Sequence, residues 1–240
     1  MVNKTVFIGD IHGRSIWKQI VEKENADRVI FIGDYFDSYD IIAVEQIQNF
    51  KDIIEYKVNS GKEVIMLIGN HDYHYFPEIG NVGTSGYQSG ARFNIEQVIN
   101  DNREHLQMAY QFENILCTHA GVSSMFMDNI FGVDGWDVKT ISDKLNELFK
   151  YKPMSFNFDG FNPYGDDEHQ TPIRIRPRSL QSVNKKTLRK QVIQVVGHTA
   201  VTSIDIKGKS TGGRYYFIDC FDTSGEYLIF NDNKFETSKV

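Results

Sequence analysis

The chain has 240 residues, ordinary charged and apolar fractions and a formal net charge of −6, a balance that argues against a protein that coats nucleic acid, because phosphate neutralisation needs a basic field. No apolar run approaches the roughly 18 residues of a membrane span. The two cysteines, Cys117 and Cys220, lie inside apolar runs as buried free thiols do, which fits a reducing compartment.

The first seventy or so residues alternate strand and helix. Met1-Val2-Asn3-Lys4 leads directly into a predicted strand at 4–8, so a cytoplasmic protein without a leader is expected. A helix follows at 15–24 and a strand at 28–32. A long helix at 41–59 carries Val44, Ile47, Phe50, Ile54 and Val58 at helical spacing, and Gly61 stands where it stops. A third strand spans 63–68. Strands separated by helices predict a largely parallel α/β sheet.

Beyond this the pattern loosens. Residues 77–90 are glycine-rich with few apolar anchors and read as a long loop, a kind that is often functional. A helix is predicted at 91–102, strands at 106–112 and 115–118 as a hairpin around Glu113-Asn114, and a helix at 140–151. Residues 152–170 read as a second irregular stretch, with aromatics Phe156, Phe158, Phe161 and Tyr164. Strands are predicted at 191–196, 203–206, 214–218 and 227–231. With no repeat, low-complexity tract or linker, one domain over 1–240 is expected.

Five segments pair glycine with Asp, Asn or His: Gly9-Asp10-Ile11-His12-Gly13, Gly33-Asp34-Tyr35-Phe36-Asp37, Gly69-Asn70-His71-Asp72, His119-Ala120-Gly121 and Gly197-His198-Thr199. The first three directly follow the apolar runs of the predicted strands, at the carboxyl ends where open α/β sheets place their sites. Each pair alone is ordinary turn chemistry. Their concurrence in placement and ligand type is the donor stock of a two-metal hydrolase. Asp10 and His12 project to one side of an extended segment and, with Asp34, would hold one ion. Asn70, His119 and His198 would complete a second, with the Asp34 carboxylate bridging. Mixed carboxylate and imidazole ligation suits Mn²⁺, Fe or Zn²⁺. Two such ions lower the pKa of a bridging water towards ~7, and the resulting hydroxide attacks phosphorus in line with the leaving group. His71 is placed to protonate the leaving alkoxide, and Asp72 to support its ring.

With these motifs, the chain resembles the calcineurin-like metallophosphoesterases, above all the bacterial and bacteriophage phosphatases of the phosphoprotein phosphatase type. The resemblance runs over nearly the whole chain. It implies a four-layer αββα sandwich of two mixed sheets, with Asp10, His12 and Asp34 on one metal and Asp34, Asn70, His119 and His198 on the other. It also implies His71 as proton donor with Asp72 behind it. Ala200 stands where many phosphodiesterase branches carry a second histidine, which favours the phosphatase arrangement. One departure concerns the phosphate grip. Those phosphatases continue the second motif as Asp-Arg-Gly, and here the continuation is Asp37-Ser38-Tyr39. Serine cannot replace a planar bidentate cation. Arg174-Ile175-Arg176-Pro177-Arg178 resembles the second phosphate-binding arginine segment of bacterial relatives, and Arg176 is the candidate within it, with Arg14 and Arg92 behind.

The expected activity is therefore hydrolysis of a phosphomonoester, with a phosphoprotein, a nucleotide or another phosphate ester as substrate and no membrane or extended nucleic acid as partner. Phosphodiester or dinucleoside polyphosphate hydrolysis is the alternative, and a non-catalytic metal-stabilised scaffold a second one.

Overall fold

The computed structural model describes residues 4–80, 85–157, 166–183, 188–207 and 214–240. Phe158, Phe161 and Tyr164 of the second irregular stretch, and residues 81–84 of the 77–90 loop, lie outside the described residues. The strands of the first half are β1 (Lys4–Ile8), β2 (Arg28–Phe31), β3 (Glu63–Leu67), β4 (Leu106–Gln107), β5 (Ala109–Phe112) and β6 (Ile115–Thr118). Those of the second are β7 (Ile193–Val196), β8 (Asp205–Lys207), β9 (Arg214–Phe217), β10 (Glu226–Asn231) and β11 (Lys234–Lys239). The helices are α1 (Trp17–Glu24), α2 (Ala43–Asn59), α3 (Asn70–Tyr73), α4 (Arg92–Asp101), α5 (Ser124–Phe131), α6 (Ile141–Tyr151), α7 (Pro177–Val183) and α8 (Leu188–Gln191).

Two mixed sheets form. The first has the order β11-β10-β1-β2-β3-β4 and the second β5-β6-β7-β9-β8. The centre of each is parallel, β1-β2-β3 in one and β6-β7-β9 in the other, and the antiparallel partners lie outside. Alternation along each strand decides the layering. Phe7, Ile30, Ile32, Ile65 and Leu67 of the first sheet pack against Ile115, Cys117, Val195, Tyr216 and Ile218 of the second. Their neighbours Val6, Ile8, Val29, Phe31 and Met66 face outward onto Trp17, Ile20, Phe50, Ile53 and Ile95 of the helices. On the far side Val196, Tyr215 and Phe217 are covered by Ile175 and by Leu180 of α7. The result is the expected sheet-on-sheet sandwich with helices outside. No helix among the described residues is long and apolar enough to cross a membrane.

Three differences from the predicted elements have physical causes. The predicted strand 106–112 divides at Met108, so that β4 joins the first sheet and β5 the second. Asn146 of α6 holds this crossing: its Oδ1 accepts from the N–H groups of Met108 and Ala109 at 2.9 and 3.0 Å, and its Nδ2 donates to Ala109 O at 2.9 Å. The edge strand β11 was not expected, because its mostly exposed residues lack a regular apolar alternation. Helices α5, α7 and α8 are short, and their apolar periodicity is too brief to read from sequence.

Replacing Asn146 by Ala strips an acceptor from two backbone N–H groups at the crossing. An unfolding titration in urea is expected to show a loss of about 1–3 kcal/mol.

Candidate metal centre and active site

The parallel strands of both sheets end at one place, and the chemically active residues are the first ones beyond those ends. Asp10 and His12 follow β1, Asp34 follows β2, Asn70 opens α3 after β3, His119 follows β6 and His198 follows β7. Donor atoms of Asp10, His12 and Asp34 lie within 4.8 Å of one another, as do those of Asp34, His119 and His198. Asp34 belongs to both groups. Its Oδ2 is 3.3 Å from His119 Nε2 and 3.8 Å from His12 Nε2. Asn70 Oδ1 lies 2.7 Å from His198 Nδ1 and 3.1 Å from His119 Nε2.

The far nitrogen of each of these three imidazoles meets a backbone carbonyl. His12 Nδ1 donates to Phe36 O at 2.7 Å, His119 Nδ1 to Ile32 O at 2.9 Å and His198 Nε2 to Arg174 O at 3.1 Å. A carbonyl only accepts, so a neutral ring keeps its hydrogen there and turns a bare lone pair to the centre. With Asn70 presenting its oxygen, electron pairs of an amide, imidazoles and carboxylates converge without hydrogens between them. Such a set repels itself unless a cation lies among its members, and these residues therefore fit divalent metal.

The electrostatics agree. Burial pushes the Asp10 carboxyl well above its ordinary range, and the charges of Asp219 and Asp34 add to the shift. Burial also acts on Asp34, but in the metal-free centre a positive charge on the His119 ring, with His71 and His12 beside it, stands in for a cation, outweighs burial and holds that carboxyl well below the usual range. Burial, with the charges of His119 and Arg176, keeps His198 far down and hence neutral. The backbone is strained where it delivers these groups. His12, Asp34, Asp37 and His198 adopt φ of 39°, 53°, 62° and 67°, a region that non-glycine residues rarely occupy. Gly69 makes the approach possible, since a Cβ there would stand 2.0 Å from Asp34 Oδ1.

His71 lies beside this centre, its ring edge-on to His12 at 5.2 Å. Its backbone N–H donates to Asp34 Oδ1 at 2.8 Å, and its Nδ1 to Asp37 Oδ2 at 2.9 Å. The expected support from Asp72 is corrected here. Asp72 accepts the backbone N–H groups of Gly69, Asp34 and Tyr35 at 2.8, 2.8 and 2.7 Å and so braces the loop that carries Asp34. Adjacent residues on the single turn of α3 do not face each other, which keeps Asp72 from the His71 ring. Asp37 takes that role. Burial pushes its carboxyl up, but the hydrogen bond from His71, the His74 ring against its Oδ2 and the hydrogen bond from Tyr75 more than offset this, so it lies below the usual range. The sequence signal was the acid three residues beyond Asp34.

A second residue escaped the sequence reading. Asp219 follows the apolar end of β9 and lines the cleft of about 370 Å³ with His12, Asp37, Ser38 and Arg14. Burial and the nearby charge of Asp34 push its carboxyl up. It obeys the same strand-end rule but has no glycine beside it to draw notice.

Of the arginines, Arg176 donates through Nη1 to His198 O and Thr199 Oγ1 at 3.1 and 3.0 Å, and feels the charges of Asp219, Asp10 and Asp34. Arg174 is half-buried and feels Asp34 as well. Both therefore border the acidic centre. Arg14 is tied to Asp40 and Asp222 at the rim of the cleft, whereas Arg92 pairs with Glu96 one turn along its own helix. His105 and His169 pair with the neighbouring acids Glu104 and Asp167.

A profile of the calcineurin-like phosphoesterases matches residues 4–219 of this sequence. The chain belongs to that family. Membership makes it a metal-dependent phosphoester hydrolase. Among solved structures, it is similar to a cold-active protein-tyrosine phosphatase from a psychrophilic Shewanella species, with a TM-score of 0.65 and 17% identity over 99% of this chain and 78% of that one. It is also similar to a protein serine/threonine phosphatase from Saccharomyces cerevisiae that resembles human phosphatase PP5, with a TM-score of 0.55 and 14% identity over 99% of this chain and 80% of that one. At such identities these two structures compare with the chain in architecture alone. No curated protein matches the sequence.

Because Asp72 holds three buried backbone N–H groups, Asp72→Ala is expected to cost roughly 3–5 kcal/mol in stability. Thermal and urea unfolding of the metal-free protein would measure it.

Proposed function

We propose that this protein is a dinuclear metal-dependent phosphatase that hydrolyses phosphomonoesters. The observation that carries the reading is the pair of donor groups sharing Asp34, with a histidine held beside them on its own carboxylate. Asp10, His12 and Asp34 would hold one ion, and Asp34, Asn70, His119 and His198 the other. Mn²⁺ suits this mixture of ligands, as do Fe and Zn²⁺. When bound, two such ions lower the pKa of a water between them and polarise phosphoryl oxygens.

The chain's own groups supply the rest. Nδ1 of His71 is engaged by Asp37, so Nε2 is the nitrogen free to pass a proton to the leaving oxygen. Arg174 and Arg176 neutralise the phosphate, in place of the arginine that Ser38 cannot provide. Two guanidiniums beside one centre suit a terminal phosphate dianion, whose three free oxygens exceed what a diester offers. The two similar phosphatases act on protein tyrosine or on serine and threonine by their descriptions. A phosphorylated protein side chain is accordingly the substrate class to try first, and a nucleotide phosphate the next.

Turnover of p-nitrophenyl phosphate and bis(p-nitrophenyl) phosphate with Mn²⁺ tests this directly. The monoester is expected to be preferred, and chelation to abolish the reaction. Preference for the diester would overturn the monoesterase assignment, and bound metal with no turnover of either would favour a scaffold. His71→Asn is expected to lower kcat on phenyl phosphate, whose leaving group needs a proton, by about 10²–10⁴ with metal content unchanged. Arg176→Ala should raise KM for the monoester about 10–100-fold, the worth of one charged hydrogen bond.

A further inference from the structure

Behind His71 lies a buried chain of hydrogen bonds that proton donation does not by itself require. Tyr75 is fully buried, edge-on to Phe36 and stacked on Tyr87 with ring centres 5.3 Å apart. Its Oη accepts the backbone N–H of Gln88 at 3.0 Å and donates to Asp37 Oδ1 at 2.5 Å. The direction is fixed, since an ionised carboxylate has no hydrogen to give. The other oxygen, Asp37 Oδ2, is the one that takes the His71 Nδ1–H. The segment that carries Gln88 is pressed onto the same residue. Gln88 Nε2 donates to Ser38 O at 3.2 Å, and a Cβ on Gly86 would stand 2.9 Å from Asp37 O.

His74 is the other neighbour of that carboxylate. Its Nε2 comes within 2.8 Å of Oδ2, but the ring N–H does not point along the contact, and its Nδ1 meets no acceptor among the described residues. Tyr75 makes the aligned bond.

We propose that Tyr75 is a positioning residue for the proton donor: it locks the rotation of the Asp37 carboxylate so that Oδ2 meets His71 Nδ1 and Nε2 faces the leaving oxygen. The terminal torsion of an aspartate is soft and broad, so a carboxylate held at one oxygen only is free to turn. Tyr75 holds the second oxygen, and the 86–88 segment holds Tyr75. The proposal rests on the phosphatase reading of this site and on His71 as its acid.

Tyr75→Phe keeps the ring and its stacking and removes the one bond. It is expected to lower kcat on phenyl phosphate about tenfold, with KM unchanged. On p-nitrophenyl phosphate, whose leaving group needs little protonation, the loss should be much smaller. In a His71→Asn background Tyr75→Phe should have no further effect, because the two act as a unit. A readout that does not depend on turnover is the His71 Nδ1–H resonance of the Zn²⁺-loaded protein. It should be protected from water exchange in the parent and exposed in Tyr75→Phe. Equal losses on both esters, additive effects with His71→Asn, or an unchanged resonance would each overturn the proposal. Should the parent hydrolyse neither ester, the phosphatase reading falls, and the resonance alone decides whether Tyr75 orients His71.

Discussion

The carboxylate of Asp34 has to face His119 and His12 at once while standing against the backbone of α3, and the loops around it are shaped by that demand. Its residue sits at a φ of 53°, its N–H is held by Asp72, and its Oδ1 takes the N–H of His71. The glycine at 69 leaves the room its oxygen occupies. None of these arrangements is favourable alone. A left-handed aspartate is strained, and a buried carboxylate is expensive unless donors and cations surround it. They persist together because two sheets with large apolar cores fix the strand ends from which the loops depart.

That scaffold also explains the division of labour between neighbouring acids. Asp34, Asp37 and Asp72 lie close in space, yet each meets a different set of groups. Asp34 faces imidazoles that present lone pairs, Asp72 faces backbone N–H groups, and Asp37 faces the hydrogens of His71 and Tyr75. A carboxylate among lone pairs calls for a cation, one among amides is a structural brace, and one that holds an imidazole orients it. Chemistry is thus assigned by the partner, since the residue type is the same in all three.

Much of the candidate centre was legible because its logic is local. An apolar, β-branched run followed by glycine and a ligand-type residue places that residue at a strand end, and Asp10, His12, Asp34 and Asn70 all announce themselves this way. His198 follows the same rule in the second sheet, and His119 has its glycine two residues further on. Asp219 follows it too, but without the glycine, and it passed unnoticed. The arginines were legible only as a cluster. Burial beside Asp34 draws Arg174 into the same centre as Arg176, a fact of packing that their spacing does not carry. In the fold, the parallel βα alternation could be read from periodicity, whereas the break at Met108 depends on a side chain from α6, far along the chain.

By itself, then, the sequence determined the class of sheet, the strand ends and the types of donor gathered there, since each of these follows from a short window of residues. Tertiary structure alone decided which acid supports His71. Asp72 adjoins it in sequence, but a helical turn points the two side chains apart, and the loop after β2 brings Asp37 to the ring instead. It likewise decided that Tyr75 and Gln88 stand behind Asp37, because hydrogen bonds between loops depend on where distant strands end.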